Sequence, residues 1–452
     1  MPRFELKESN RQLTSYAGLS LIGQCCEAAQ VSLVLDRRIP VSAGMVTSDL
    51  FKSVVGLISL GKNDFEAIEP FRSDRFFREA LDIGKVPSSE WLRQRLDAKG
   101  AELPEPASEL SLRLLERTEA PITAHKGYVC MDFDTFAQDN SGTKKEGVSR
   151  TYQGFDGYTP IAAYLGNEGW NIGLKLRPGK QHSALETEDF LVPVFARMER
   201  LVPSSAKVLS RSDSGFDSAC LLFLQAGERD RLAGLGRSFD YIVKWNPRKQ
   251  DKPGWVARAD TANAFRETRP GKREALLSLD VERAWQKAHR TFRLIVKVVE
   301  RTIDKKGQHL MVPDIEIEGW WTSLAEAPEL VIERYQDHGT HEQFHSEIKS
   351  DLGLERLPSG KFDTNDALMH IGMFAYNCLR LIGQLGLTGE LSPVKHPARR
   401  RRLKTVLQEV MYRAAQFIRK ARYLVLDFGA CARHIVPVFA HVQGRLSAAR
   451  SP

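Results

Sequence analysis

Apolar residues recur with helical spacing through the first 120 residues, so this part of the chain is predicted to be mostly helical. Apolar stretches with this spacing cover residues 13–35, 51–60 and 71–81. The polar residues around Ser88 are typical of a helix start and predict a further helix there. Basic residues such as Arg93 lie on that last helix. A set of short helices of this kind suits a DNA-binding bundle, and it suits a helical scaffold equally well.

The pattern changes at residue 127, where apolar and polar positions alternate and predict a β-strand. One face of this strand is apolar, and the other carries Asp132 and Asp134. A carboxylate on a core strand needs a partner, because a buried unpaired charge is very costly. Metal ligation would satisfy this need. The alternative is that both acids lie in water at the end of the strand.

Short strands, turns and helices alternate in the following part of the chain. Residues 157–179 predict short strands, residues 185–201 predict an amphipathic helix, and a further strand ends at Asp213. Asp217 is predicted to cap the next helix. An acid at the carboxyl end of a strand is a favoured position for a catalytic group in α/β folds. It is also a common helix cap, and the pattern alone does not separate the two roles.

Residues 240–313 mix strands with polar connections and are followed by Trp320 and Trp321. We expect these indoles to anchor a core or an interface; if exposed, they could stack on a displaced base. Residues 363–385 are apolar nearly all round and predict a buried helix.

The stretch from Tyr335 to Lys349 concentrates polar groups at helical spacing. At about 100° per residue, His338, Glu342 and Lys349 fall on one helix face, beside an apolar stripe. A capping-box pattern at residues 340–343 would start the helix there and leave Tyr335 and His338 on the preceding turn. The stretch fits an amphipathic surface helix, and it also fits a metal-dependent phosphoryl-transfer site.

The composition of the 452-residue chain is that of a globular protein, with 42% hydrophobic and 27% charged residues. No apolar run reaches the ~20 residues of a membrane helix, and the N-terminus lacks a signal-peptide core. We therefore expect no membrane association and a cytoplasmic, nucleoid-associated location. The six cysteines form no C-x-x-C pair and are expected to be buried, reduced thiols.

The net charge of +8 is concentrated near the C-terminus. Residues 391–452 contain thirteen Lys or Arg and two Asp or Glu, so this region is strongly cationic. A concentrated positive charge favours a polyanionic partner, most simply nucleic acid. Its densest part is the run Arg399, Arg400, Arg401 and Arg402, which could also be ordinary solvated surface.

Three acidic positions therefore stand in order along the chain: Asp132 or Asp134 on a strand, Asp213 at a strand end, and Glu342 on a helix. Two-metal phosphoryl transfer needs carboxylates from separate elements to hold two cations about 3.5–4 Å apart. Oxygen ligands without cysteine suit Mg²⁺ or Mn²⁺.

On these residues the chain resembles the DDE transposases of bacterial insertion sequences, specifically the IS thirteen-eighty group. The family's Tyr-x2-Arg-x3-Glu-x6-Lys signature is matched at Tyr335, Glu342 and Lys349, and departs at His338, which stands in place of the arginine. The resemblance also rests on Arg-x-Asp-Ser-Gly-Phe at 211–216, Asp-x-Asp-Thr at 132–135 and Leu-Arg-Pro-Gly at 176–179. It covers residues 125–390 well and the N-terminal part more loosely.

The resemblance implies an α/β fold in which an RNase H-like catalytic core spans residues 126–390, with a β-rich insertion at about 225–330. A helical N-terminal domain of residues 1–125, with DNA binding as its expected role, would precede the core. A basic C-terminal region of residues 391–452 would follow it.

The resemblance further implies that Asp134, Asp213 and Glu342 hold two Mg²⁺ or Mn²⁺ ions, with Asp132 as the alternative first ligand. Tyr335, His338 and Lys349 would contact DNA phosphates. Histidine is only partly charged near neutral pH and lacks the arginine fork, so phosphate binding at residue 338 is the weakest of these expectations. From the charge pattern, we add the run 399–402 as a DNA-phosphate contact.

The implied function is cut-and-paste transposition by a homodimer that binds two double-stranded ends with terminal inverted repeats and then target DNA. Hydrolysis would free a 3′-hydroxyl, which would attack the opposite strand to form a hairpin, or the target. One alternative is a metal-dependent nuclease that cuts without joining. Another is a DNA-binding derivative that has lost catalysis, although the presence of all three acids argues against it.

Overall fold

The computed structural model describes residues 3–421 and 423–449, with only the backbone at residues 340 and 341. The N-terminal region is helical, as its apolar spacing predicts. Its elements are β1 (Leu13–Thr14), α1 (Leu19–Ala28), α2 (Val31–Arg38), α3 (Thr47–Ile58), α4 (Arg75–Ala80), α5 (Ser89–Lys99) and α6 (Pro104–Arg117). The apolar stretch 13–35 contains two helices, because Gln30 adopts a left-handed backbone with φ of 61° between them.

The middle of the chain alternates strands and helices. Its elements are β2 (Val129–Thr135), β3 (Gln138–Asp139), β4 (Ser149–Arg150), β5 (Asp156–Tyr158), β6 (Ile161–Leu165), β7 (Trp170–Lys175), α7 (Thr187–Leu201), β8 (Lys207–Ser212), α8 (Ala219–Gly234) and β9 (Ser238–Trp245). The cap predicted at Asp217 is wrong. Ser218 caps α8 by accepting the Leu221 N–H, whereas the Asp217 carboxylate accepts the indole N–H of Trp321.

A β-rich segment follows, within the range predicted for it. It comprises α9 (Lys252–Thr261), β10 (Phe265–Arg269), β11 (Lys272–Trp285), β12 (Ala288–Ile303) and β13 (His309–Thr322). Because β13 pairs with β9, these strands extend the central sheet. The sheet has nine strands in the order β10-β11-β12-β13-β9-β8-β2-β6-β7 and is mixed, with β2, β8 and β9 parallel.

The last part of the chain is mainly helical. Its elements are α10 (Pro328–Gln336), α11 (His341–Ser346), α12 (Phe362–Leu387), α13 (Leu403–Val406), β14 (Ala415–Arg419), β15 (Leu424–Asp427) and α14 (Val436–Ala448). Strand β14 pairs with both β1 and β15, so the C-terminal region folds back onto the N-terminal helices.

Helix α12 is buried along most of its 26 residues, as predicted, and contacts α6, β7 and α14. One hydrophobic cluster runs without interruption from the N-terminal helices through the sheet and α12 to α14. The boundaries at residues 125 and 390 stay predictions, and this cluster continues across both.

Four of the six cysteines are buried, whereas Cys220 is half-buried. The expectation of burial is wrong for Cys431, which is exposed. In the described part of the chain, none of the helices combines the length and apolarity needed to cross a membrane.

A buried ion pair joins α12 to the turn that follows α11. Glu347 and Arg380 pair with side chains that are 0% and 1% exposed. The Arg380 guanidinium also donates to the Tyr376 hydroxyl at 2.8 Å, and Glu347 accepts the Leu403 N–H at 3.3 Å. Buried charges are tolerated only when they are paired in this way, so this cluster fixes the end of α11 against the core.

We expect Arg380→Met to lower the free energy of unfolding by about 3–5 kcal/mol, because it leaves the Glu347 carboxylate buried without its cation. Urea unfolding followed by circular dichroism measures the loss. Arg290→Met, which removes a more exposed pair with Asp230, is the control and is expected to cost less than about 1 kcal/mol. Equal losses in the two variants would contradict this account.

Candidate active site at the edge of the central sheet

Two of the predicted acids lie side by side because β2 and β8 run parallel. The register places Asp132 opposite Arg211. Two residues further along, the same register brings Asp134 next to Asp213, which directly follows β8. The carboxyl ends of parallel strands meet at one edge of a sheet, which is why residues about 80 positions apart in sequence come together here.

Both acids also bind the local backbone. The Asp134 carboxylate accepts the N–H of Thr135 at 2.7 Å, and Asp213 accepts the N–H of Gly215 at 2.9 Å. Asp213 thereby caps a 3₁₀ turn at residues 214–216. The two roles that the sequence left open for Asp213, cap and site residue, are compatible in this geometry.

Asp132 has a different environment from Asp134. It is buried and receives two hydrogen bonds of 2.7 Å from the Arg211 guanidinium, while His338 Nδ1 lies 3.2 Å from Asp132 Oδ1. Burial alone would raise the pKa of Asp132, but the Arg211 charge and the contacts from Arg211 and His338 outweigh it and lower the pKa below its usual range. Asp132 is thus committed to an internal ion pair.

Arg211 also holds a third element in place. A further N–H of its guanidinium donates to the backbone carbonyl of Arg334, in α10, at 2.7 Å. One buried side chain therefore connects β2, β8 and α10. The 3₁₀ turn Asp337–Thr340, which carries His338, follows α10 directly.

The third acid, Glu342, lies in the first turn of α11 and is exposed. The helix is anchored by Phe344, which packs against the ring of Tyr164 at 4.8 Å between centroids and directly over Gly169. A Cβ at residue 169 would lie 2.2 Å from the Phe344 ring, so this approach requires glycine. The helix begins at His341, where the capping box predicts; the side chain of Thr340, the predicted cap, lies outside the described residues.

All three acids line one cavity of about 410 Å³, which we call the acidic pocket. Its other lining residues are Lys244, Lys297, Glu318, Trp320, Ile332, Tyr335, Gln336, His338 and Gly339. The pocket is therefore formed by the sheet edge, the segment from α10 to α11, and the β-rich segment.

Tyr335 and His338 both line the acidic pocket. Tyr335, at the end of α10, packs against the Trp320 ring at 6.2 Å and the His338 ring at 5.4 Å. Burial, reinforced by the carboxylates of Asp213 and Asp134, raises the pKa of the Tyr335 phenol above its usual value. The phenol is thus a neutral hydrogen-bond donor at physiological pH.

Lys349 does not line the acidic pocket. It belongs to a π-helical turn, Glu347–Asp351, which follows α11 directly. The wider π-helical turn ends the regular spacing on which the shared helix face with Glu342 was predicted. The Lys349 ammonium donates to the carbonyl of Ala137 at 2.8 Å and pairs with Glu355 at 3.1 Å.

The four arginines at 399–402 divide into two pairs. Arg401 is buried and donates to backbone carbonyls, and Arg402 pairs with Asp351 at 3.0 Å. The expected phosphate contact is contradicted for Arg401, because its guanidinium is buried and holds the C-terminal region onto the fold. The Arg402 side chain is 41% exposed, so a phosphate contact there stays a prediction. Arg399 and Arg400 line a second cavity of about 400 Å³, which Asp132 and Arg211 also line.

The base-stacking role considered for Trp320 and Trp321 is contradicted by their burial. The two residues are 2% and 1% exposed. Trp321 packs in the core of the β-rich segment, and Trp320 packs beneath Tyr335 and Lys244. Neither ring offers an open face to a base, and both fit the alternative role of core anchors.

Sequence reasoning missed three charged residues of the pocket: Lys244, Lys297 and Glu318. They lie on β9, β12 and β13; β9 pairs with β8 directly, and β12 and β13 reach the pocket because β13 pairs with β9. Their positions on strands gave no signal, because alternating charged residues are common on any solvated strand face.

The donor set of the pocket fits a hard divalent cation. Asp134, Asp213 and Glu342 offer carboxylate oxygens, which Mg²⁺ and Mn²⁺ prefer, and no cysteine lines the cavity. Among the described residues, no three acidic, histidine or cysteine side chains already stand in metal-ligand geometry.

The sequence profile of the family described as "Transposase DDE domain group 1" matches residues 2–451. Among solved structures, the chain is similar to one entitled "Cryo-EM structure of piggyBac transposase synaptic complex with hairpin DNA (SNHP)". The identity is 11%, with a TM-score of 0.41, over 89% of this chain and 83% of that one. Among curated proteins, none matches this chain significantly.

The two neighbouring acids on β2 are expected to respond differently to neutralisation. Asp132→Asn should lower the free energy of unfolding by about 3 kcal/mol, because it leaves the charge of Arg211 buried and uncompensated. Asp134→Asn, at a half-buried position, should change it by less than about 1 kcal/mol. Urea unfolding of the two variants measures the difference, and a larger loss for Asp134→Asn would reverse the assignment.

Proposed function

The chain belongs to the transposase DDE domain family, group 1, and we propose that it cleaves DNA at the ends of a mobile element and joins the freed ends to a target. The observation that carries this proposal is the convergence of Asp134, Asp213 and Glu342 on one pocket. Carboxylates from two strands and a helix are what two-metal phosphoryl transfer requires.

The strand order supports an RNase H-like core within the proposed enzyme. Strands β7, β6 and β2 are antiparallel neighbours, and β8 and β9 continue the sheet in parallel with β2. Helix α7 connects β7 to β8, and helix α8 connects β8 to β9. In this interpretation β10 to β13 are an insertion that enters after β9 and returns to the pocket through β13.

The proposed metal ligands are Asp134, Asp213 and Glu342. Asp132 is set aside as a ligand because its two oxygens already bind Arg211. Two bound Mg²⁺ or Mn²⁺ ions would supply an activated water and stabilise the leaving 3′-oxygen. The chain itself would orient the DNA, with the neutral phenol of Tyr335 donating a hydrogen bond to a phosphate oxygen beside the acids.

The proposed substrate is double-stranded DNA with terminal repeats, followed by target DNA, in a homodimeric complex. Arg399 and Arg400 would contact phosphates outside the acidic pocket, because they line the adjacent second cavity. His338 and Lys349 are less suited to this role in the described arrangement, since Asp132 lies against the imidazole and Glu355 pairs with the ammonium. With DNA as the substrate, we place the reaction in the bacterial cytoplasm, at the nucleoid.

We expect Asp134→Asn, Asp213→Asn and Glu342→Gln each to slow DNA cleavage by about 10³-fold or more, equivalent to about 4 kcal/mol of transition-state stabilisation. The substrate is a linear fragment that carries the coding sequence with its flanking DNA, incubated with Mg²⁺ or Mn²⁺. Gel analysis of cleaved ends gives the rate, and binding of the same fragment in EDTA shows that each variant still recognises DNA.

Glu329→Gln is the matched control, because Glu329 is exposed on α10 and does not line the pocket. Its cleavage rate should equal that of the wild type. Full activity of any of the three acid variants would remove that residue from the site.

A target plasmid added to the same reaction distinguishes a transposase from a nuclease. We expect products in which the cleaved end is joined to plasmid DNA, because a freed 3′-hydroxyl held at the pocket is itself a nucleophile. Sequencing across the junctions measures joining. Efficient cutting with no joined product would favour the nuclease.

A further inference from the structure

A group of charged residues on β9 and the β-rich segment lines the acidic pocket together with the three proposed metal ligands. Lys244 on β9, Lys297 on β12 and Glu318 on β13 all line the cavity. The sheet register explains their proximity: Glu318 lies directly opposite Lys297, and Trp320, two residues further along β13, lies opposite Lys244. The group therefore projects from one face of three adjacent strands.

Lys244 is held in a defined position above two aromatic rings. Its ammonium lies 4.2 Å from the centroid of Trp320 and 5.6 Å from that of Tyr335. It also donates to the Glu318 carboxylate at 2.5 Å. Cation–π contacts and a charge-assisted hydrogen bond restrict an otherwise flexible side chain, so a positive charge is fixed beside the phenol that we propose to contact DNA.

Lys297 supplies the second positive charge. Its ammonium pairs with Glu274 on β11 at 2.9 Å, and its side chain is 28% exposed. Glu318 is 51% exposed, more than either lysine that lines the pocket. Glu318 is thus the most solvent-exposed side chain of the group, and the two lysines are more buried.

We propose that Lys244 and Lys297 bind a phosphate of the DNA strand that enters the acidic pocket, and that Glu318 occupies the place of this phosphate in the free protein. The inference rests on the proposed function and adds a phosphate-binding subsite to it. The chemistry is an exchange of anions: a backbone phosphate replaces the Glu318 carboxylate on the Lys244 ammonium, the neighbouring Lys297 adds its charge to the same subsite, and no covalent bond changes.

The negative charge of the three acids explains why a phosphate-binding subsite is needed beside them. Asp134, Asp213 and Glu342 repel a DNA backbone before any cation is bound, so a fixed positive charge opposite them is needed to hold the strand. In the absence of DNA, Glu318 pairs with Lys244 and Glu274 pairs with Lys297, so each ammonium already has a carboxylate partner. Glu318 thereby competes with the substrate and lowers its affinity.

The competition predicts opposite effects for the two kinds of residue. Glu318→Gln should tighten binding of the coding-sequence fragment about threefold to tenfold, because it removes the competing anion. Lys244→Met should weaken binding about tenfold, because it removes the ammonium. The methionine side chain preserves the apolar packing on Trp320. Binding is measured with the full-length protein in EDTA at several salt concentrations, where Lys244→Met should also reduce the salt slope by about one.

Glu316→Gln is a closely matched control. Glu316 lies on the same face of β13, two residues before Glu318, carries the same charge and pairs with Arg301 away from the pocket. It should leave DNA affinity within twofold of the wild type. Lys244→Arg should restore part of the affinity lost in Lys244→Met, which separates loss of charge from loss of fold.

The outcomes distinguish this inference from the proposed function. If the wild type cleaves DNA while Glu318→Gln binds no more tightly than Glu316→Gln, the anion exchange is wrong and the transposase proposal stands. If Lys244→Met binds as the wild type does, the subsite is wrong. If the wild type neither binds nor cleaves DNA, the proposed function fails and the subsite fails with it.

Discussion

The buried ion pair between Asp132 and Arg211 is the interaction on which the geometry of the site depends. It joins two parallel strands shortly before their carboxyl ends, and a further guanidinium N–H fixes α10 through the carbonyl of Arg334. The acids proposed to be catalytic, Asp134 and Asp213, each follow a member of this pair by two residues. Because an internal charge pair is costly to break, it keeps the two carboxylates in register.

The helix that carries Glu342 is fixed by separate means. Phe344 packs onto Gly169 and Tyr164, and the turn after the helix is held by the buried pair of Glu347 and Arg380. A helix of six residues has little stability by itself. Its position therefore comes from tertiary packing, which holds the exposed Glu342 at the pocket.

Positive charge has at least three different uses in this protein. Arg211, Arg380 and Arg401 are internal and stabilise the fold through carboxylates or carbonyls. Arg399 and Arg400 line an open cavity, and Lys244 faces the acidic pocket. Net charge alone would assign all of them to DNA, whereas burial and hydrogen-bond partners divide them. A basic run in a sequence is thus a weak guide to where a polyanion binds.

The sequence by itself determined the helical N-terminal region, the β-rich segment, the buried helix α12 and the candidate acids, because local periodicity and motif spacing encode these features. Tertiary structure alone gave Asp132 and Asp134 different environments, since both lie on the same strand face and only Asp132 is paired with Arg211. It also moved Lys349 away from the pocket through a π-helical turn and buried Arg401 and Trp320. Finally, it brought in Lys244, Lys297 and Glu318, because strand pairing between distant segments leaves no trace in local sequence.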